Sequence, residues 1–384
     1  MPLSFFQLFA DFDRGKISRR QLLQALAAAA VVMPGASLFA QGVPARGATP
    51  GDSVRGGRGR APRDTMPLLL PFESTGWETV WLDHLSYQCV DYKKAAAFYA
   101  TLMGWKVRSD SGQQAVLDIG ENSGGIIIRG GLSAPPPAAI TDAGLGVSRP
   151  PVRAVFDGFA WGIAPWDTNK VKAELEKRGL NPVADHAGSD YRSFRIKDPD
   201  GFDLAITNGT KALRRKGPAT AKLPAPAPFE PTGWNTLYLD HISFEVPDYR
   251  RSAAFYEALL GWTGRPGGGG QVTVQIGTVA GAIIRGNAAA RARAGRAGGA
   301  GDSAAPPPPP PPNGVGAAIG HISFGIENWD TERVRAELKK RGVVYINKDG
   351  EHEPRPDMVG TLLSFHVPDA MGWDLQIGNK IAPG

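Results

Sequence analysis

The feature that most restricts how this chain can fold is a long internal repeat. Short motifs between Phe72 and Gly130 return in the same order between Phe229 and Gly286. The matched motifs are Thr75-Gly76-Trp77 with Thr232-Gly233-Trp234, Leu82-Asp83-His84 with Leu239-Asp240-His241, Phe98-Tyr99 with Phe255-Tyr256, and Ile127-Ile128-Arg129 with Ile283-Ile284-Arg285. A tandem duplication is the economical explanation. With 384 residues, the chain is long enough for two domains that each bury a core of their own.

Each copy of the repeat contains a weaker repeat of its own. In the second copy, His241-Ile242-Ser243-Phe244 returns as His321-Ile322-Ser323-Phe324, and a polar turn with an aromatic residue follows both segments. Each predicted domain is therefore a pair of modules, and the chain has four modules. The modules can pair within the chain or across a homodimer.

The third module shows the order of its elements most clearly. Residues 241–246 alternate between polar and apolar side chains, which predicts a strand with one buried face. Asp248 is a suitable N-cap for the helix that follows, Gly261 ends that helix, and short β patterns cover 272–276 and 281–285. In module four, the same reading predicts a strand at 321–326, a helix at 332–341 and strands near 343–346, 361–367 and 373–377. The βαβββ order predicts an α+β fold in which helices cover one sheet face and the polar faces of two modules line a shared cup.

The N-terminus has the pattern of an export signal. Arg19-Arg20 precedes an alanine-rich apolar run from Ala25 to Val32, which is followed by Pro34 and small residues. A basic region, a short apolar region and a small-residue exit are typical of a signal peptide, and the run is too short to span a bilayer stably. The paired arginines resemble a twin-arginine signal, which predicts a periplasmic protein. The signal at 1–40 is either cleaved or kept as a membrane anchor, and the alternative is a buried or interfacial helix.

Glycine, proline and basic residues are concentrated outside the repeated motifs. This distribution predicts a disordered lead-in at 41–74, a first domain at 75–210, a linker at 211–231, and a second domain at 232–384 with a proline-rich insert at 287–315. The formal net charge is +6, and the excess basic residues that produce it lie in the lead-in, the linker and the insert. Flexible basic segments form no shaped groove for bases, so nucleic-acid binding is not expected.

The repeated motifs also resemble a known superfamily. Leu239-Asp240-His241-Ile242-Ser243-Phe244, with Ala253-Ala254-Phe255-Tyr256 and Leu260-Gly261-Trp262 after it, is similar to the opening of a vicinal-oxygen-chelate (VOC) module. Asp198-Pro199-Asp200-Gly201 resembles the closing turn of such a module. The resemblance is to the glyoxalase, bleomycin-resistance and extradiol-dioxygenase type, and it implies two domains, each with a cupped eight-stranded mixed sheet. This superfamily includes isomerases, ring-cleaving dioxygenases, thiol transferases and metal-free binding proteins, so the resemblance implies a shape more than an activity.

In metal-using members of the superfamily, the ligands come from the first strand of each module and from the last strand. Carried over to the second domain, the resemblance implies His241, His321 and Gln376 as ligands of a divalent metal: Fe(II), Mn, Ni or Zn. Gln376 departs from the pattern because glutamate usually occupies this position. A fourth ligand position falls at Ile284 or Arg285, neither of which is a usual ligand. The alternative is that both histidines are hydrogen-bonded polar residues of their strands.

Three further residues are candidates for catalysis. Strand alternation places Glu245 on the face of His241 and Asp374 on the face of Gln376, so either can supply the missing negative charge directly or through a hydrogen bond to a ligand. His352 lies in a charged segment that is predicted to be a loop, where it acts as an acid or base at the edge of the cup or is merely solvated. His366 matches Arg195 of the first domain and is predicted to be exposed.

The first domain lacks most of this set. His84 is present, but Gly158 occupies the position of His321 and Ala205 the position of Gln376. A single histidine does not hold a metal ion. The first domain is therefore predicted to be structural, or to form a metal-free binding cup lined by His84, Gln88 and Asp203.

The leading prediction is an exported, metal-dependent enzyme that acts on a small substrate with adjacent oxygens. Two histidines with a single third ligand favour dioxygenase-like chemistry over lyase-like or isomerase-like chemistry. The alternatives are a non-catalytic protein that binds and sequesters a small molecule, and a structural scaffold. No stable membrane span is expected after processing.

Overall fold

The computed structural model describes residues 66–133, 147–148, 150–185, 190–267, 270–287 and 317–382. The predicted signal peptide at 1–40, the predicted lead-in up to residue 65 and nearly all of the predicted proline-rich insert lie outside these residues. Residues 63–329 and 337–384 belong to one compact unit. Within the described residues, no helix is both long enough and apolar enough to cross a membrane.

The first domain is built around an eight-stranded sheet. Its elements are β1 (Glu78–Cys89), α1 (Tyr92–Met103), β2 (Lys106–Asp110), β3 (Gln114–Asp118), β4 (Gly125–Arg129), β5 (Val147–Ser148), β6 (Ala154–Ala164), α2 (Thr168–Lys177), β7 (Val183–Asp185), β8 (Ser193–Lys197) and β9 (Asp203–Thr207). The strand order is β2-β3-β4-β1-β6-β9-β8-β7. Strand β1 runs parallel to β4 and antiparallel to β6, so the sheet is mixed and the two modules join at its centre.

The second domain repeats this arrangement after a short helix, α3 (Lys211–Arg214). Its elements are β10 (Thr236–Val246), α4 (Tyr249–Leu260), β11 (Thr263–Gly267), β12 (Gln271–Ile276), β13 (Ala280–Gly286), β14 (Ala318–Ile326), α5 (Thr331–Lys340), β15 (Tyr345–Asn347), β16 (His352–Glu353), β17 (Arg355–Val359), β18 (Leu362–Pro368) and β19 (Asp374–Gly378). The strand order is β11-β12-β13-β10-β14-β19-β18-β17. Two eight-stranded mixed sheets in tandem confirm the predicted α+β fold.

The helix of module three begins and ends where the sequence predicts. The carboxylate of Asp248 accepts hydrogen bonds from the first free backbone N–H groups of α4, and Gly261 ends the helix in a left-handed conformation with φ 67°. A side chain at Gly261 would also meet the other domain, because a Cβ there would lie 2.3 Å from the carbonyl oxygen of Trp77. The equivalent Gly104 approaches the carbonyl oxygen of Trp234 in the same way, at 2.1 Å.

The two domains support each other through reciprocal contacts. The indole Nε1 of Trp262 donates to Thr79 Oγ1 at 2.9 Å, and the indole Nε1 of Trp105 donates to Thr236 Oγ1 at 3.0 Å. All four side chains are buried. Each domain therefore completes its sheet from its own two modules, while the end of its first helix packs on the first strand of the other domain.

The closing turn of each domain is tied to a helix of the other domain. Asp198 accepts from two backbone N–H groups of its own turn and from the hydroxyl of Tyr256 at 2.7 Å. Asp369 has the same role in the second domain and accepts from the hydroxyls of Tyr87 and Tyr99. The turn motif that carried the resemblance thus holds the domains together as well as shaping the last hairpin.

Asp200, in the first of these turns, gives a test of the packing. Its carboxylate accepts from the Ser252 hydroxyl, and burial, together with the charge of Asp198, raises the pKa of Asp200 to about 6. The unfolded chain releases this proton near the ordinary pKa of 3.8, so the native state loses stability as the pH rises from about 4 to about 6. The difference between the two pKa values corresponds to at most about 3 kcal/mol.

We expect Asp200→Asn to be more stable than the wild type near neutral pH by up to that amount, because asparagine does not ionise. The advantage should vanish at about pH 4, and urea unfolding at the two pH values measures it. Asp203→Asn, at a partly exposed position of the same hairpin, is the control and should show no such crossing. An equal stability difference at both pH values would show that the ionisation of Asp200 does not matter.

The outer strand of module four differs from the prediction. The segment predicted as a strand near 343–346 forms β15, which pairs with β16 and β5 in a separate three-stranded sheet. The main sheet instead ends at β17, in a segment that was predicted to be a loop. Its sequence lacks alternating apolar residues, and Pro356 is tolerated because an edge strand is paired on one side only. This strand brings Arg355 and Asp357 to the cup.

Two segments that were predicted to lie outside the domains pack against them. Phe72, in the predicted lead-in at 41–74, meets Phe255 with ring centroids 5.8 Å apart. In the predicted linker at 211–231, the Nε of Arg214 lies 2.9 Å from Oδ1 of the buried Asp83. Packed structure therefore extends beyond the predicted bounds of the first domain on both sides.

Candidate metal centre

Two histidines from neighbouring strands meet in the cup of the second domain. Strands β10 and β14 pair antiparallel, with Ser243 opposite His321 and His241 opposite Ser323. The Nε2 atoms of His241 and His321 lie 3.0 Å apart, with the two rings nearly perpendicular at 81°. Two nitrogen ligands held at about 2.1 Å by one ion, at about a right angle, are separated by about 3 Å. The distance is that of a hydrogen bond between the two rings in the metal-free protein, and it is also the spacing of adjacent ligands of one ion.

Asp240 orients the first of these imidazoles. Its Oδ2 lies 2.8 Å from His241 Nδ1, and Lys380 Nζ lies 2.9 Å from its Oδ1. Burial opposes ionisation of Asp240, but the hydrogen bonds and charges of His241 and Lys380 outweigh it and hold the pKa of Asp240 at about 2. An ionised carboxylate on Nδ1 turns the other nitrogen of the ring towards the cup, as carboxylates do for many metal-bound histidines.

The environment of His321 favours its neutral form. Burial lowers the pKa of His321 well below its ordinary value, and neighbouring His366, His241, Arg285 and Arg355 act in the same direction. A neutral imidazole is the form that binds a metal ion. The electrostatics of the site therefore suit a ligand at this position.

Gln376 reaches the same cavity from strand β19. This strand runs parallel to β14, and Gln376 lies beside Ser323 in the register. Its amide Nε2 donates to Ser364 Oγ at 2.7 Å, while the buried Oε1 accepts no hydrogen bond from the described residues. A buried oxygen without a partner is costly unless another group binds it. The amide oxygen is therefore open to another partner, and two imidazoles with one amide oxygen in the same cavity are a donor set that suits a divalent cation.

His366 is buried, so the prediction that it is exposed is wrong. Only 2% of His366 is accessible to solvent, and its ring centroid lies 4.8 Å from that of His321. Its Nδ1 is 3.0 Å from Asp374 Oδ2. The match with Arg195 gave no information on what covers this position in the second domain. In the first domain the matching Arg195 is exposed.

The three predicted catalytic candidates have different surroundings. Glu245 lines the cavity and is buried, and Gly320 leaves space for it, because a Cβ at Gly320 would lie 3.0 Å from Glu245 Oε1. Asp374 also lines the cavity, but its carboxylate already receives a hydrogen bond from the Tyr345 hydroxyl at 2.9 Å. His352 is exposed on β16 and is not among the residues that line the cavity.

The cavity is large enough for a small organic molecule. It measures about 990 Å³ and is lined by His241, His321 and Gln376 together with apolar and charged side chains. Part of its wall comes from the first domain, at 150–152. The backbone N–H of Arg153 donates to the carbonyl of Met371 at 2.7 Å and fixes this segment against module four.

The first domain keeps one part of the site and lacks the rest. His84 Nδ1 lies 2.7 Å from Asp83 Oδ2, as in the second domain. The strand register places Gly158 and Ala205 where His321 and Gln376 lie, as the sequence predicts. Among the described residues, the group of three ionisable donors whose atoms all lie within 4.8 Å of one another consists of His321, His366 and Asp374, in the second domain.

The fold agrees with comparisons to known proteins. The sequence profile of the Glyoxalase/Bleomycin resistance protein/Dioxygenase superfamily matches residues 81–206, which make up most of the first domain. The second domain has the same strand order. No curated protein sequence matches the chain significantly.

Two solved structures are similar to the whole tandem. The Mn(II)-bound glyoxalase from Novosphingobium aromaticivorans is 14% identical, with a TM-score of 0.50 over 79% of this chain and 82% of that one. The 2,3-dioxygenase LapB from Pseudomonas sp. KL28 is also 14% identical, with a TM-score of 0.50 over 80% of this chain and 94% of that one. At this identity the likeness shows the fold alone.

Proposed function

We propose that the protein is a metal-dependent enzyme whose second domain binds a small substrate with two adjacent oxygens. The observation that carries the proposal is the 3.0 Å separation of the His241 and His321 Nε2 atoms. The same cavity contains the buried Oε1 of Gln376, which accepts no hydrogen bond from the residues that the structure describes. These three residues would hold a divalent ion. When bound, such an ion acts as a Lewis acid and provides open positions for the two substrate oxygens.

The protein itself supplies orientation and enclosure. Asp240 fixes the ring of His241, and Ser364 fixes the amide of Gln376, so two ligands are held before a metal ion or substrate arrives. Glu245 is the acidic residue on the face of His241, and we assign it to a hydrogen bond with the substrate. The apolar part of the cavity wall excludes water around the substrate.

Among the reaction types of the superfamily, we favour dioxygenase-like ring cleavage over lyase-like or isomerase-like chemistry. The fourth ligand position of the resemblance falls at Ile284, which is fully buried in the core, or at Arg285, which is a cation. The site therefore offers one oxygen ligand beside its imidazoles. One of the structural relatives is named as a 2,3-dioxygenase and another as a glyoxalase.

The test is metal quantification on the full chain after anaerobic purification, followed by a screen of catechols and dicarbonyl adducts. We expect about one divalent ion per chain in the wild type and a loss of most of it in His241→Ala. The matched control is His84→Ala, which removes the equivalent histidine of the first domain with its equivalent Asp83 contact. It should leave the metal content unchanged.

Two results would overturn the proposal. Less than about 0.2 ions per chain in the wild type, unchanged by His241→Ala, would exclude the metal site. Stoichiometric metal with tight ligand binding and no turnover would favour the alternative, a protein that sequesters a small molecule. The neutral Gln376 is the residue that favours this alternative, because it removes the negative charge usual at that position.

We also propose export to the periplasm, which rests on Arg19-Arg20 and the apolar run that follows. A double substitution, Arg19→Lys with Arg20→Lys, should retain the protein in the cytoplasmic fraction of a host with a twin-arginine pathway. The unsubstituted protein should be found in the periplasmic fraction. Equal distribution of both proteins would contradict the proposed route.

A further inference from the structure

We propose that His366 is a third imidazole ligand at the same metal centre, and that Asp374 is its positioning residue. The inference rests on the proposed function, because it concerns the ion that His241 and His321 would hold. It explains how a site with a neutral amide at position 376 can still bind a divalent cation firmly. A third strong nitrogen donor compensates for the missing carboxylate.

The first argument is position. His366 lies on β18, directly opposite Gln376 on the neighbouring antiparallel strand β19. Its ring is perpendicular to that of His321, at 81°, and lines the same cavity. The donor atoms of His321, His366 and Asp374 lie within 4.8 Å of one another. The imidazoles of His321 and His366 are therefore close enough together to serve the same ion.

The second argument is orientation. His366 Nδ1 lies 3.0 Å from Asp374 Oδ2, which places the proton of a neutral ring on Nδ1 and leaves the lone pair on Nε2. The other oxygen of Asp374 accepts from the Tyr345 hydroxyl at 2.9 Å. Because both oxygens are engaged and only 3% of Asp374 is exposed, this carboxylate orients a ligand and does not serve as one.

The third argument is the comparison between the two domains. The positions of His321, His366 and Gln376 correspond to Gly158, Arg195 and Ala205 in the first domain. None of the three first-domain residues is a metal ligand, and Arg195 instead pairs with Asp185 at the surface. The second domain thus has all three donors, and the first has none of them. Donors that serve one ion are expected to occur together in this way.

A different arrangement of His366 makes the opposite prediction. Its Nε2 lies 3.6 Å from Asp357 Oδ2, so an imidazolium ring between Asp357 and Asp374 would be a structural ion pair. Such a ring has no lone pair for a metal ion. The number of imidazole nitrogens on the bound ion distinguishes the two arrangements without any measurement of activity.

The experiment uses the full chain loaded with Cu(II), whose coupled imidazole nitrogens are counted by pulsed EPR. We expect three imidazoles in the wild type and two in His366→Gln. In parallel, chelator competition measures the dissociation constant for Zn(II). Loss of a residue that only orients a ligand weakens metal binding by roughly 10–100-fold. We expect the dissociation constant for Zn(II) to rise by more than this in His366→Gln, because a ligand itself is lost. Asp374→Asn should keep three imidazoles and weaken Zn(II) binding by about tenfold.

The controls separate this inference from the proposed function. His352→Ala removes an exposed histidine of the same module and should change neither measurement. A wild type that binds no stoichiometric Cu(II) or Zn(II) would overturn the proposed function. A wild type that binds both ions with only two imidazoles, and loses them in His241→Ala, would overturn the role of His366 alone. The wild-type count decides the question even if His366→Gln does not fold.

Discussion

Replacing Asp369 with alanine is expected to lower the free energy of unfolding by about 4 kcal/mol or more. The carboxylate accepts from the backbone N–H groups of Met371 and Trp373, both at 2.8 Å, and from the hydroxyls of Tyr87 and Tyr99. All four donors would be left in a buried site without an acceptor, and each such loss costs about 1–3 kcal/mol. The two tyrosines belong to the first domain, so the loss also weakens the contact between the domains.

Chemical denaturation of three variants tests this prediction. Burial raises the pKa of Asp369 because it disfavours the charged form, and a neutral amide at this position avoids that cost. Asp369→Asn keeps an oxygen acceptor and is expected to lose less than about half as much stability as Asp369→Ala. Asp349→Ala, in an exposed turn, should stay within about 0.5 kcal/mol of the wild type. A value for Asp369→Ala within about 1 kcal/mol of the wild type would contradict the assigned role of the turn.

The central strands could be predicted because two independent signals coincide there. His241–Val246 alternates along the chain, and related motifs return at His84 and at His321. Strand β17 has neither signal. An edge strand is paired on one side and needs no apolar face, so its sequence is not distinguishable from that of a loop.

Part of the candidate site could also be predicted from the sequence. Alternation placed His241 and His321 on polar faces, and the family resemblance implied Gln376 as their neighbour. His366 was missed, although a signal existed. His366 precedes the closing turn at 369–372, and Gln376 follows it at nearly the same distance along the chain. Residues at equal distances from the turn of a hairpin face each other. Counting from the turn would have placed His366 beside Gln376.

The contacts between domains could not be predicted in this way. Trp262 and Thr79 are separated by 183 positions, and nothing in their local sequence links them. The repeat shows only that Tyr99 and Tyr256 occupy equivalent positions in their helices. A buried tyrosine hydroxyl needs a hydrogen-bond partner. That Asp369 and Asp198 are these partners depends on how the two domains pack together, which the local sequence does not show.

Replacing Gln376 with glutamate is expected to strengthen Mn(II) binding by about 100-fold while destabilising the metal-free protein. Carboxylate oxygens suit Mn(II) better than neutral amide oxygens, and the number of charged ligands strongly tunes the affinity of such sites. Without metal, the new carboxylate would replace a side chain that is only 5% exposed, close to Asp374, and burying a charge there is costly. The same substitution thus has opposite effects in the two states.

Thermal unfolding with a chelator and with excess Mn(II) measures both effects. In the chelator the melting temperature of Gln376→Glu should fall below that of the wild type, and in Mn(II) it should rise above it. A 100-fold gain in affinity adds about 2.7 kcal/mol of stability at saturating metal. The matched control is Ala205→Glu, which buries a carboxylate at the equivalent position of the first domain, where Gly158 replaces the second histidine. It should lose stability in both conditions, because one histidine and one carboxylate do not hold the ion. If Mn(II) stabilises Gln376→Glu no more than the wild type, position 376 does not face the metal ion.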